Sequence, residues 1–284
     1  MTARSTETRL LGVARILFGA LVLLRTTPVL APLHISYLGS TSPLLGWPTS
    51  TWHVAAGGLA LPSGVVAALC IARTIAALLF TVGVRSREAG VAAGVLGWVV
   101  LSQDATAYIN TLHLLFLGLV VLGLGGAGSA WAWRVERESD PRSGLLLVRA
   151  LVVSVYAWSG VAKLNASWLR GDVLAQLQAN EIVRGPLSDL LLSSSAGCAA
   201  AAWTIAATEL AAGPLLLWPR TRRAALVAAL VFHVALQVSV HPDFLGFAMT
   251  VLLLAFVEPG AALDRAGQAA GRAGATIEAP CIDP

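Results

Sequence analysis

One basic side chain in this sequence stands at the end of an apolar run and, unlike every arginine, carries a nitrogen that can give up its proton. Lys163 is the sole lysine, all other strongly basic residues being arginine, and it follows the apolar run VRALVVSVYAWS in the stretch GVAKLNASWLRG. A lysine turned into a desolvated interior can become a neutral amine and act as a base, whereas arginine stays charged. The competing reading is a snorkelling side chain whose stem covers apolar surface while its ammonium reaches water. Two histidines offer similar chemistry. His113 stands three residues after Asn110 in QDATAYINTLHLLFLG, and His233 stands four before Gln237 in VFHVALQVSV, so each pair shares a helix face. An interfacial histidine bonded to backbone is the plain alternative for His113. For His233, inside an apolar run, the expectation is an inward hydrogen bond of structural or functional kind. Glu209, in AATELAAGP, is expected to pair with Arg73 or another inner cation, with structural ion pairing as the competing role.

These groups need elements to position them, and the composition says which. Hydrophobic residues make up 57% of 284, charged residues 12%, and the mean hydropathy is +0.77. That is the signature of a polytopic membrane protein. The net charge of +4 and pI near 9.4 then report orientation and contact with anionic lipid rather than nucleic acid, since no polar basic face is present. Eight apolar spans are expected near 9–30, 64–83, 89–104, 110–133, 144–165, 197–218, 222–241 and 243–258. Arginine clusters at alternate loops: Arg4 and Arg9; Arg85 and Arg87; Arg134, Arg137 and Arg142; Arg220, Arg222 and Arg223; Arg265 and Arg272. The positive-inside rule therefore places both termini in the cytoplasm and Lys163 with all five histidines in the outer half.

The fold class expected is an all-α membrane bundle, a single domain over 1–260, followed by a Gly/Ala-rich cytoplasmic tail, 261–284, of disordered composition. Segment 31–63 suits an interfacial cap, and 172–192 an amphipathic piece on the outer surface, broken at Gly185–Pro186. Trp47, Trp52, Trp168 and Trp203 read first as an outer aromatic belt, and Arg15 and Arg25 as interface or lipid contacts. Cys70, Cys198 and Cys281 lack ligand spacing and read as small buried hydrophobes. No metal site is expected.

The stretch KLNASWLRG resembles the pattern K-L-N/D-x-x-W-x-x-G of the vitamin K-dependent γ-carboxylases and their bacterial relatives, the HTTM (horizontally transferred transmembrane) proteins. RILFGALVLL at 15–24, GVRSR at 83–87, QDATAYIN, and TELAAGPLLLWPRTRRAALVAALVFHVALQ are similar to family segments in the same order, so the likeness covers about 10–258. The resemblance implies that Lys163 is the base that deprotonates a reduced naphthoquinone of the vitamin K or menaquinol type. It implies that Asn110 orients that lysine and that His233 is the histidine of the late helix. His113 lies two places beyond the family histidine, whose position Thr111 takes. Arg25, Arg73, Trp168 and Gln237 are carried as candidate cofactor-binding residues.

The implied activity is that of a membrane oxidoreductase or lyase: quinol epoxidation with O2, coupled to proton abstraction or carboxylation by CO2 on a small or peptide substrate. The expected partners are the bilayer, a lipid quinone and a secreted peptide or protein. Two other classes compete. One is a non-catalytic escort for a secreted peptide that uses segments 31–63 and 166–196. The other is a haem or metal site built from His113 and His233.

Overall fold

A chain this apolar must satisfy its backbone polar groups within the chain, and helices do so segment by segment. A computed structural model describes residues 3–26, 61–102, 110–134, 140–239 and 244–257, and among these it has eleven α-helices and no β-strand. In chain order they are α1 (Ala3–Thr26), α2 (Ser63–Val82), α3 (Ser86–Leu101), α4 (Asn110–Leu124), α5 (Pro141–Ala162), α6 (Ala166–Leu169), α7 (Asp172–Ala179), α8 (Pro186–Leu191), α9 (Ser195–Leu217), α10 (Arg222–Ser239) and α11 (Leu245–Leu253). Segment 31–60, loop 104–109, residues 241–243, the tail 261–284, and with them His34, His53, His241, Trp47, Trp52 and Cys281, lie outside the described residues.

Every expected span contains a helix. Gly64–Val82, Pro141–Ala162, Ser195–Leu217 and Arg222–Ser239 are long and apolar enough to cross a bilayer, and Thr111–Leu124 and Leu245–Phe256 are shorter apolar helices. The outer surface of the bundle is apolar in helical register. α10 exposes Val227, Val231, Val234 and Val238 while burying Ala225, Ala229 and His233. This places valine towards lipid and small or polar groups inside, the reverse of a water-soluble helix. The protein is a multi-pass membrane protein.

The fourth span differs from its expected form. Its helix ends at Leu124, and residues 125–134 turn back against α1 instead of continuing. The break follows from Gly125, Gly126 and Gly128, and Arg15 satisfies the carbonyls it frees. Arg15 Nη1 donates to Ala127 O (3.0 Å) and Ala130 O (3.1 Å), and Nη2 to Trp131 O (2.6 Å). Arg15 is thus fully buried rather than an interface or lipid contact.

Around that clamp, α1 packs on α2, α4 and α5, while α3 lies between α2 and α4. α5 packs along α9, and α10 lies against α9 and α11. Phe18, Phe80, Phe116 and Phe256 anchor the main core. A second, smaller core of Leu174, Val183, Leu192, Cys198 and Ala202 joins α7 and the segment after it to the first turns of α9. The surface piece expected over 172–192 is therefore two helices, α7 and α8, with Gly185 just before the second.

Candidate functional site

The KLNASW stretch is the turn that ends α5 and begins α6. Asp140 caps the start of α5, Pro141 occupies its first turn, and Lys163 is its C-cap residue. Asn165 serves both helices at once: its Nδ2 donates to Ala162 O (2.9 Å) and its Oδ1 accepts from Trp168 N (2.9 Å). The spacing of Asn and Trp is thus that of an N-cap and the amide three residues on. Trp168 Nε1 donates to Ala202 O (3.3 Å) on α9, tying the turn to its neighbour. Gly171 follows with φ +84°, and a Cβ there would lie 2.5 Å from the backbone carbon of Cys198.

A side chain on a helix leans towards the N-terminus, so a lysine closing α5 naturally points back along it. Lys163 does so and reaches into the bundle instead of out to water. Its Nζ donates to Ser159 Oγ (2.7 Å) and Ser159 O (3.2 Å), one turn earlier. It also lies 2.6 Å from Glu209 Oε2 on α9, and 5.1 Å from the centre of the Trp168 ring. Ser159 Oγ in turn donates to Glu209 Oε1 (3.0 Å). The ammonium thus makes two hydrogen bonds to Ser159 and an ion pair with the Glu209 carboxylate. The side chains are 16% and 9% exposed, so this is an interior pair and not a surface one. Helix approach makes it possible: a Cβ on Gly160 would sit 2.8 Å from the Leu210 side chain, the residue after Glu209.

This pairing decides which of the interior cations Glu209 meets. Glu209 pairs with Lys163, not with Arg73, whose Nη2 caps α1 through Thr26 O (2.7 Å) and whose guanidinium lies over Phe116. Lys163 is enclosed as expected, and a carboxylate lies beside it.

One turn further into α5, Tyr156 Oη lies 2.7 Å from His233 Nε2 on α10. Both residues are buried, and the imidazole also meets Phe232 edge-on. Tyr156, Ser159 and Lys163 stand at i, i+3 and i+7, so one stripe of α5 carries both polar clusters. Gln237 follows His233 by one turn, and its Oε1 and His233 O are the atoms that a Cβ on Gly246 would meet first.

The remaining candidates sit on other elements. Asn110 opens α4, and its side chain lies outside the described residues. His113 is exposed and stacks on Trp98 of α3 at 5.3 Å. Arg25 is buried at the end of α1, not at an interface, and Arg73 is buried in α2. Cys70 and Cys198 are buried free thiols, as small hydrophobes would be. No group of three or more His, Cys, Asp or Glu able to hold a metal occurs among the described residues.

Tyr156 and Ser159 were not among the sequence candidates. The signal for them was present as a polar stripe of helical period ending on Lys163, within a run that reads as apolar on average.

No curated protein and no solved structure matches the chain. The HTTM domain family model matches residues 3–260. The chain belongs to the HTTM family, membrane domains related to the vitamin K-dependent carboxylase.

Proposed function

We propose that this protein is an integral membrane enzyme that oxidises a reduced naphthoquinone with O2, and that Lys163 is its base. The observation that carries the reading is the interior Lys163–Glu209 pair, bridged by Ser159 at the end of an apolar span. Transfer of one proton from the ammonium to the Glu209 carboxylate leaves an amine and a carboxylic acid, with no net charge created in the bundle. The amine then takes a hydroxyl proton from the quinol. Ser159 holds both partners through this exchange, and the surrounding apolar wall keeps water from competing for the proton.

The residues suit such a group: a paired amine and carboxylate, a buried Tyr–His couple one turn away, and apolar helix faces opening to lipid on α5 and α10. A bound quinol would supply the reducing electrons, the overall balance being quinol plus O2 to quinone epoxide plus water. Proton abstraction from, or carboxylation of, a small or peptide substrate by CO2 belongs to the same reading, as does a site in the outer half of a membrane with both chain termini cytoplasmic.

Purified protein incubated with menadiol and O2 tests this. Wild type is expected to yield menadione epoxide, identified by mass, while Lys163→Ala yields none and Glu209→Gln at least about tenfold less. Equal epoxide from Lys163→Ala overturns the assignment.

A further inference from the structure

The Tyr156–His233 couple contains a hydrogen-bonding group that the fold itself leaves unused. His233 is 4% exposed, and its Nδ1 has no hydrogen-bond partner among the described residues. Its Nε2 is taken by Tyr156 Oη. Buried polar groups are overwhelmingly paired, so an orphan ring nitrogen needs a reason.

The partners fix which proton sits where. Tyr156 is 2% exposed, and among the described residues the acceptor its hydroxyl meets is His233 Nε2. A hydroxyl donates its hydrogen where it can, so Tyr156 donates and Nε2 accepts. In a neutral imidazole the ring proton is then on Nδ1. A doubly protonated ring would leave the tyrosine hydrogen without an acceptor and a cation without a counter-charge. The ring is held in this orientation by Tyr156 on one side (5.8 Å between centroids) and by Phe232 (5.4 Å) on the other. Nδ1–H is therefore a fixed, buried donor that no acceptor among the described residues receives.

We infer that His233 Nδ1–H is a ligand-binding donor for an acceptor oxygen, a ring carbonyl or oxyanion, and that Tyr156 is the positioning residue that selects this tautomer. The placement relative to Lys163 supports one shared ligand. Nζ turns back to the level of Ser159, which stands about 4.5 Å of helix rise from Tyr156. The partners that hold the two nitrogens, Ser159 and Tyr156, are thus neighbours on one stripe of α5, and a ring bearing two oxygens is the ligand the two would share, Lys163 handling the proton of one oxygen and Nδ1–H receiving the other. The choice of a naphthoquinone ring rests on the proposed function; the donor geometry does not.

The test reads binding rather than turnover. In detergent-purified protein labelled with 15N-histidine, His233 is assigned by difference from His233→Gln. The ligand-free ring is expected as a single Nδ1–H tautomer, and Tyr156→Phe is expected to give a mixture of tautomers. Menadione, whose ring oxygens are acceptors only, is expected to shift Nδ1 much more than Nε2, and 2-methylnaphthalene, of similar shape without oxygens, is not. Tyr156→Phe is expected to weaken menadione binding about 5–10-fold, the worth of roughly one hydrogen bond. An Nε2–H tautomer in the free protein, or an Nδ1 resonance that saturating menadione leaves unmoved, overturns the inference whether or not epoxide forms. Persistence of the Nδ1 shift in a Lys163→Ala protein that still makes epoxide would sink the lysine's role as base and leave this one standing.

Discussion

Arg15 and Lys163 are both cations enclosed by an apolar bundle, yet their partners differ in kind. Among the described residues, Arg15 faces the backbone carbonyls of Ala127, Ala130 and Trp131, and it lies at 0% exposure. Those carbonyls neither take up nor release a proton, and arginine does not give one away. Lys163 faces a carboxylate and a hydroxyl, both of which can exchange protons with it. The first arrangement repairs a backbone break where α4 stops short. The second has the make-up of a reactive centre. A buried charge in a membrane protein is thus read by its acceptors: backbone oxygens mark a splint, and side-chain oxygens mark chemistry.

The comparison breaks most visibly at Arg15. Arg15→Leu takes the Arg15 donors from one buried and two part-buried carbonyls and strands them at the α4 break, and it is expected to destabilise the protein by roughly 3 kcal/mol, seen as a lower unfolding temperature in detergent. Arg15→Lys is expected to recover only part of this, because one ammonium cannot fork across the same oxygens. Wild-type unfolding of Arg15→Leu would show that the splint is dispensable.

At Lys163 the expected effect on stability depends on the partner. Lys163→Met strands the Glu209 carboxylate and is expected to cost about 3 kcal/mol. Adding Glu209→Gln should restore much of that, giving a coupling of about 1–3 kcal/mol in a double-mutant cycle while epoxide formation stays abolished. Additive losses would mean that the 2.6 Å pair contributes nothing as a pair.

Gly160→Val sharpens the same point without touching a charge. Its added atoms meet Leu210 and should push α9 from α5, at about 1–3 kcal/mol, and separate Lys163 from Glu209. Epoxide formation should fall in step with the loss of the pair's coupling energy. Full activity in a folded Gly160→Val protein would argue that the close helix approach is not what sets the site.

What could be read from the sequence follows the range of the forces involved. The helices within the eight expected spans, four of them long and apolar enough to cross a bilayer, were legible because hydropathy is local and additive along a segment. The isolation of Lys163 and the inward histidine at 233 were legible because an ionisable group in an apolar run stands out by type. The identity of partners was not. Glu209 lies 46 residues beyond Lys163 (209 − 163), and only the packing of α5 on α9 decides that it meets Lys163 rather than Arg73. Arg15 was misread as a lipid contact for the same reason, since its acceptors lie 112 to 116 residues away. Tyr156 and Ser159 escaped notice because averaging over an apolar run hides a stripe that only helical geometry reveals.

The smallest expected effect concerns Asn165, where local structure and chemistry share one residue. Asn165 donates to the last turn of α5 and caps α6, and it is exposed. Asn165→Ala removes both bonds and is expected to lower stability by about 1 kcal/mol. Asn165→Asp keeps the acceptor for Trp168 N and loses the donor to Ala162 O, so it should lose less. Because Trp168 lies beneath the Lys163 ammonium and bonds Ala202, the cap also sets the wall against which the amine rests. If the asparagine acts only through that turn, epoxide yield should follow stability across the two variants, with Asp above Ala. An Asp variant as stable as wild type but without epoxide would give the asparagine amide a part in the chemistry that its capping geometry does not require.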